Sequence, residues 1–113
     1  MGMHIERDGD VAIVMPKGMF RGGKDVEELE RDLRKLVYDD QKKILLDMAN
    51  VSFMSSTAIG VLASVHTSAV TRNVQLHVCN IERRIEHVLT IVKLTLVLNC
   101  FDTRKQALAA FKD

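Results

Sequence analysis

The stretch DMANVSFMSSTAIGVL, Asp47 to Leu62, decides the fold. An apolar run, Lys42-Lys43-Ile44-Leu45-Leu46-Asp47-Met48, leads into it without alternation. Such a run suits a strand covered on both faces, as in the parallel part of an α/β sheet. It is followed by three consecutive hydroxyls, Ser55, Ser56 and Thr57, and then by small and apolar residues that predict a helix from about Ser56 to Thr71. A strand running into a helix through a hydroxyl cluster has three chemical readings. The cluster caps the helix, supplies a nucleophile, or accepts a charge from another protein.

Working outward, the upstream half predicts a hairpin and a helix. Asp8-Gly9-Asp10 separates two short apolar-bearing stretches, His4–Arg7 and Val11–Met15, which is a hairpin signal. Pro16, Gly18 and Gly22-Gly23 then mark a connecting segment. Asp25 and Glu28 have the spacing of a capping box, and Val26, Leu29, Leu33, Leu36 and Val37 form one apolar face, leaving Glu27, Glu30, Arg31, Arg34 and Lys35 outward. Downstream, Gln75–Cys79 predicts a strand, and Ile81, Ile85, Val88, Leu89 and Val92 a helix. Leu96-Val97-Leu98 predicts a short strand, and a last helix carries Ala107, Leu108 and Phe111, capped by Asp102 or Thr103. The order β-β-α-β-α-β-α-β-α, without linker or repeat, predicts one α/β domain over residues 1–113. Its sheet is mixed and mostly parallel, with the antiparallel hairpin at one edge and about four helices.

Composition narrows the function. The 113 residues are 47% hydrophobic and 27% charged, the range of a folded globular domain. Sixteen basic against fifteen acidic residues leave a net charge of +1, and aromatics make up only 4%. Neither a basic surplus nor stacking platforms point to nucleic acid or to an anionic membrane. No apolar run approaches the roughly 20 residues that span a bilayer, and the N-terminus lacks an apolar leader, so the expected location is cytoplasmic. Cys79 and Cys100 have no metal-type spacing, so two buried, reduced thiols are expected.

The nucleophile reading fails on geometry. The G-x-S-x-G elbow is absent, and His66, the nearest histidine, lies ten residues along the same helix, roughly 15 Å from Ser56 at ~1.5 Å per residue. No acid is placed to orient His4, His77 or His87, so no catalytic residue is assigned and no enzyme is expected. His77 and Cys79 share a face of a buried strand, where core residues are expected; no metal and no cofactor is predicted. Capping accounts for one hydroxyl, or two, and leaves another facing solvent at the positive end of the helix. Beyond it, Ser56, Gly60, Ala63 and Thr67 fall at i, i+4, i+7 and i+11, a continuous small-residue stripe opposite Ala58, Leu62, Val65 and Ala69. Glycine inside a helix costs roughly 1 kcal/mol against alanine, so Gly60 needs a reason. Close packing on the sheet is one. A flat outer surface for a partner is the other.

With these residues in view, the chain resembles the STAS domain of bacterial anti-sigma-factor antagonists. The family signature runs Asp-Leu-x-Gly-Val-x-Phe-(Ile/Met)-Asp-Ser-(Ser/Thr)-Gly-Leu-Gly. Asp47, Val51, Phe53, Met54, Ser56, Thr57 and Gly60 fit it, with Met48 and Ile59 as conservative matches. Ser55 stands where the family has Asp, Ala58 and Asn50 where it has Gly, and Lys93 where a helix-ending Gly is expected. The run Asp102-Thr103-Arg104-Lys105-Gln106-Ala107-Leu108 is similar to the family's C-terminal half. The resemblance implies a partner switch. An unmodified antagonist binds an anti-sigma factor, itself a serine kinase of the ATPase type, and phosphorylation of the motif serine ends the interaction until a phosphatase restores it. By position that serine is Ser56, with Thr57 the lesser candidate, and Ser55, Ser56, Thr57, Gly60, Ala63 and Thr67 form the expected partner-binding set. The alternatives within the same resemblance are an unphosphorylated interaction or scaffold module and an accessory subunit of a transport system. Oligomeric state is not legible.

Overall fold

The computed structural model describes residues 3–39 and 41–113. Strands β1 (His4–Asp8) and β2 (Val11–Met15) form the expected antiparallel hairpin, with Asp8 opposite Val11. Gly9 has φ 60° whereas Asp10 is not left-handed, so the two-residue turn is type II′, which needs glycine only at its first central position. Next come β3 (Gly18–Phe20), α1 (Lys24–Tyr38), β4 (Lys43–Asp47), β5 (Val51–Met54) and α2 (Ser56–Thr71). The chain ends with β6 (Gln75–Cys79), α3 (Arg83–Ile91), a 3-10 turn at Leu94–Leu96, β7 (Asn99–Phe101) and α4 (Arg104–Ala109).

The main sheet has the order β1-β2-β4-β6-β7, antiparallel at β1–β2 and parallel elsewhere. This is the mixed α/β architecture expected from the sequence. Every residue of β4 is buried, which explains why the run at 43–47 lacks alternation. One face of the sheet presents Val14, Ile44, Leu46, Leu76 and Val78 to α1, α2 and α3 in the larger core. The other presents Val11, Ile13, Leu45 and Cys79 to Ala107 of α4 in a smaller one.

Polar contacts fasten the smaller side. Lys43, nearly buried, reaches Asp10 at 2.9 Å and Asp113 at 2.5 Å, and Gln75 bonds the backbone of Lys112 twice. His77 stacks on Phe111 with ring centroids 3.9 Å apart, and its Nδ1 lies 2.9 Å from the Ala107 carbonyl. A carbonyl only accepts, so Nδ1 carries the proton there. His77 and Cys79 are core residues on a buried strand, as expected.

Four local expectations are corrected. The final strand is Asn99–Phe101 rather than Leu96–Leu98: only Leu98 of that triplet reaches the core, while Leu96 is 79% exposed. Lys93 takes the left-handed conformation, φ 65°, that the missing glycine would have supplied, and turns the chain out of α3 before β7 pairs with β6. The connecting segment after Pro16 and the residues after Asn50 are strands, β3 and β5, joined as a separate two-stranded parallel sheet. Asp25 does not cap α1. Gly23 is the N-cap, and the Asp25 carboxylate accepts the N–H groups of Arg21 and Gly22 instead, a backward tie led by the Arg21 bond that holds its pKa below the usual value. Finally, Glu30 and Arg34 are only partly exposed rather than free on the outer face. They bond each other at 3.0 Å, and Arg34 donates across to Ser64 and to Ser68, the latter at 2.9 Å, locking α1 to α2.

Candidate functional site

The small parallel sheet positions the hydroxyl cluster. Pairing of β3 with β5 sets Phe20 opposite Met54, and the Ser55 N–H donates to the Phe20 carbonyl at 2.8 Å. Ser55 is thereby held extended (φ −71°, ψ 169°) as the N-cap of α2, its Oγ accepting the Ala58 N–H at 3.2 Å and its carbonyl the Ile59 N–H at 3.0 Å. Ala58 is fully buried directly beneath that cap. The cap therefore consumes Ser55 alone. Ser56 and Thr57, the first two helical residues, are exposed. The first turn of α2 carries no acidic side chain, so nothing in it offsets the positive end of the helix.

Along the helix, Gly60 and Thr67 are exposed and Ala63 is half-buried. A Cβ placed on Gly60 would meet no atom within 4 Å, so close packing on the sheet is not the reason for a glycine there. The Thr67 hydroxyl donates to the Ala63 carbonyl at 3.1 Å and is folded onto the helix. All six expected binding residues thus lie on one helix, from its cap to its fourth turn, with Ser55 turned inward to the backbone.

Beside the stripe runs a groove of about 320 Å³ lined by Ala63, His66, Thr67, Val70, Leu94 and Val97. Val70 and Val97 are 60% and 53% exposed. These apolar flanks escaped the sequence reading because Leu94 and Val97 meet α2 only through the turn that Lys93 makes. His66 lines this groove rather than facing Ser56; burial pushes its imidazole below its ordinary pKa. Phe53, 44% exposed on β5, opens a second cleft with Arg84, Ile85 and Val88.

Asp47, at the start of the motif, is buried rather than presented. Its carboxylate accepts the Ala49 N–H at 3.1 Å, Asn80 Nδ2 at 3.1 Å and Arg104 Nε at 3.0 Å. Burial works against the charge, but these bonds together outweigh it and keep the carboxyl below its usual pKa. Arg104 also donates to Glu6 at 3.1 Å, so one carboxylate joins β4, β6, α4 and the hairpin. Burial pushes the neighbouring Cys79 thiol up to about 12, which removes it as a nucleophile at neutral pH. No group of three or more His, Cys, Asp or Glu side chains suited to a metal occurs among the described residues, and no helix among them is long and apolar enough to cross a membrane.

Solved structures share this architecture over nearly the whole chain. A Thermotoga maritima protein superposes with a TM-score of 0.87 at 18% identity, covering 95% of this chain and 92% of that one. An anti-sigma factor antagonist from Mycobacterium paratuberculosis gives 0.84 at 19% identity, over 98% and 93%. The Bacillus cell fate determinant SpoIIAA in its phosphorylated form gives 0.72 at 14% identity, over 96% and 97%. At these identities the likeness establishes the fold. The family rests on the sequence itself: the STAS domain model matches residues 4–107, and the chain belongs to the STAS domain family.

Proposed function

We propose that this protein is an anti-sigma-factor antagonist whose grip on an ATPase-type serine kinase is released by phosphorylation of Ser56. The observation that carries the reading is the division of labour at the helix start. Ser55 satisfies the backbone, while Ser56 stands exposed at the rim of a stripe whose glycine has open space above it. Thr57 is the lesser acceptor. The phosphorylated SpoIIAA structure supports the reading by likeness, since a protein of the same fold exists in that state.

The physics is compatible with a switch that leaves the fold alone. A phosphate brings about −1.5 to −2 charges at neutral pH, and at a helix N-terminus that charge is locally favourable. The cost falls on the docked partner. One like-charge contact at ~4 Å with an effective dielectric near 20 costs about 4 kcal/mol, on the order of a thousandfold in affinity. The partner-facing set is Ser56, Thr57, Gly60, Ala63 and Thr67, with Ser55 holding the first of them in place. A phosphatase would close the cycle. The family's usual acid before the serine is replaced by Ser55, which performs the capping that a carboxylate would perform at the same position.

The test is incubation with the cognate kinase and ATP, followed by mapping of phosphate by mass spectrometry. A phosphopeptide carrying Ser56 is expected. Absence of phosphate from both Ser56 and Thr57 would leave a scaffold module of the same fold as the reading.

A further inference from the structure

We infer that the outer edge of β1 is a self-association surface that joins two copies of this chain into one continuous sheet. The sheet has two ends, and they differ. β7 is three residues long, too short to template another strand well, whereas β1 has five residues, all exposed, without proline or bulge.

The hairpin fixes which backbone groups face outward. A two-residue turn is closed by a hydrogen-bonded pair, here Asp8 with Val11, so Glu6–Ile13 and His4–Met15 are hydrogen-bonded pairs as well. The N–H and C=O groups of Ile5 and Arg7 then point away from β2, along the free edge. A two-fold axis perpendicular to the sheet permits only registers centred on a residue, because centring between residues would mix faces. Centred on Glu6, the strands oppose Glu6 to itself. Centred on Arg7, they oppose Arg7 to itself and Glu6 to Asp8. Centred on Ile5, they oppose Ile5 to Ile5 and place His4 of each copy against Glu6 of the other. That last register alone avoids like charges among the three. All three use the outward-facing groups of Ile5 and Arg7 as hydrogen-bonded positions, so the opposed charges choose among them.

Side chains on the same face agree with it. Ile5, 43% exposed, lines a groove of about 340 Å³ with Met3 and Leu36, and the groove's α1 wall carries Asp32, Lys35 and Asp39. Pairing about Ile5 brings two such apolar grooves together and sets acidic and basic residues of α1 on both sides of the axis. On the other face Glu6 lies 3.4 Å from His4 and 3.1 Å from Arg104, so an opposing His4 meets a carboxylate already held in place. Mixed charge on an edge strand ordinarily discourages pairing. Here one register opposes no like charges and sets an imidazole against a carboxylate, which a purely protective edge does not need.

Sedimentation of the full chain over a concentration series reads the mass directly. A reversible shift towards twice the monomer mass is expected, and Ile5→Lys, which opposes two ammonium groups on the axis, should weaken it at least tenfold with an unchanged circular dichroism spectrum. Cross-linking tests the register independently of that variant's folding. Hydrogen-bonded pairs have Cα atoms about 5.5 Å apart, inside the disulfide range, so Ile5→Cys should form a linked dimer on oxidation. Arg7→Cys should not, since its sulfurs would lie roughly 14 Å apart, four residues along the strand. A wild-type chain that stays monomeric at every concentration, an Ile5→Lys variant that associates as well as wild type, or Arg7→Cys linking as readily as Ile5→Cys would each overturn the inference.

Discussion

At the residue scale, neighbouring hydroxyls have opposite assignments, and substitution separates them. Ser55→Ala removes the cap and should cost about 1 kcal/mol of stability, whereas Ser56→Ala leaves an exposed first-turn position and should change stability by less than about 0.5 kcal/mol. Chemical denaturation of the two variants checks this, and equal losses would show that Ser56 is structural. Gly60→Ala should stabilise the isolated protein by about 1 kcal/mol, because the new methyl meets nothing and helix propensity improves. The same variant should bind the kinase more weakly if that open space is where the partner's backbone approaches. A more stable protein with unchanged binding would remove Gly60 from the interface. The hydroxyl cluster and the stripe were legible because both are local: the spacing of Ser56, Gly60, Ala63 and Thr67 places them on one face whatever surrounds the helix. The choice of cap was not. It depends on the hydrogen bond from Ser55 to Phe20 across a two-stranded sheet that the sequence does not announce.

At the element scale, helices α1, α2 and α4 and the buried strands follow their patterns, and the misses share a cause. Val51–Met54 and Gly18–Phe20 are short, and each gains its structure only by pairing with the other across a whole helix, which no local period reveals. The 94–98 segment misled because its apolar residues serve a turn and a groove rather than a ladder. Lys93→Gly should relieve the left-handed strain there and raise stability by about 0.5–1 kcal/mol, visible as a higher denaturation midpoint. Two imidazoles, His77 beneath α4 and His66 on α2, give the fold a pH dependence. Burial holds both His77 and His66 below the ordinary imidazole pKa, with the Ala107 carbonyl partly offsetting it for His77. The unfolded chain therefore binds more protons than the folded one below about pH 6.5, so this contribution to stability is full above that pH and lost as pH falls through it. Melting temperature should drop between pH 7.5 and pH 5. The double variant His66→Gln/His77→Asn should flatten that slope while lowering the plateau. An unchanged slope would show that the acid sensitivity comes from other groups.

At the scale of the molecule, the structure separates what holds the domain from what it offers. Asp47, the first residue of the motif, ties β4, β6, α4 and the hairpin through Asn80, Arg104 and Glu6, whereas Ser56, nine residues on, stands in solvent. One signature thus contains a structural half and a presented half, which composition could not divide. Mixed sheet topology and the membership of residues 4–107 in the STAS family were legible from element order and motif together. The central claim is that charge at Ser56 acts on the interface and not on the fold. Calorimetric titration of the cognate kinase with wild-type protein and with Ser56→Asp, beside thermal melts of both, tests it most directly. The account predicts a melt for Ser56→Asp at or slightly above that of wild type, because the carboxylate sits at the positive end of α2, and an affinity lowered at least a hundredfold, since one carboxylate carries less charge than a phosphate. Equal affinities, or a variant that binds poorly because it has unfolded, would contradict it.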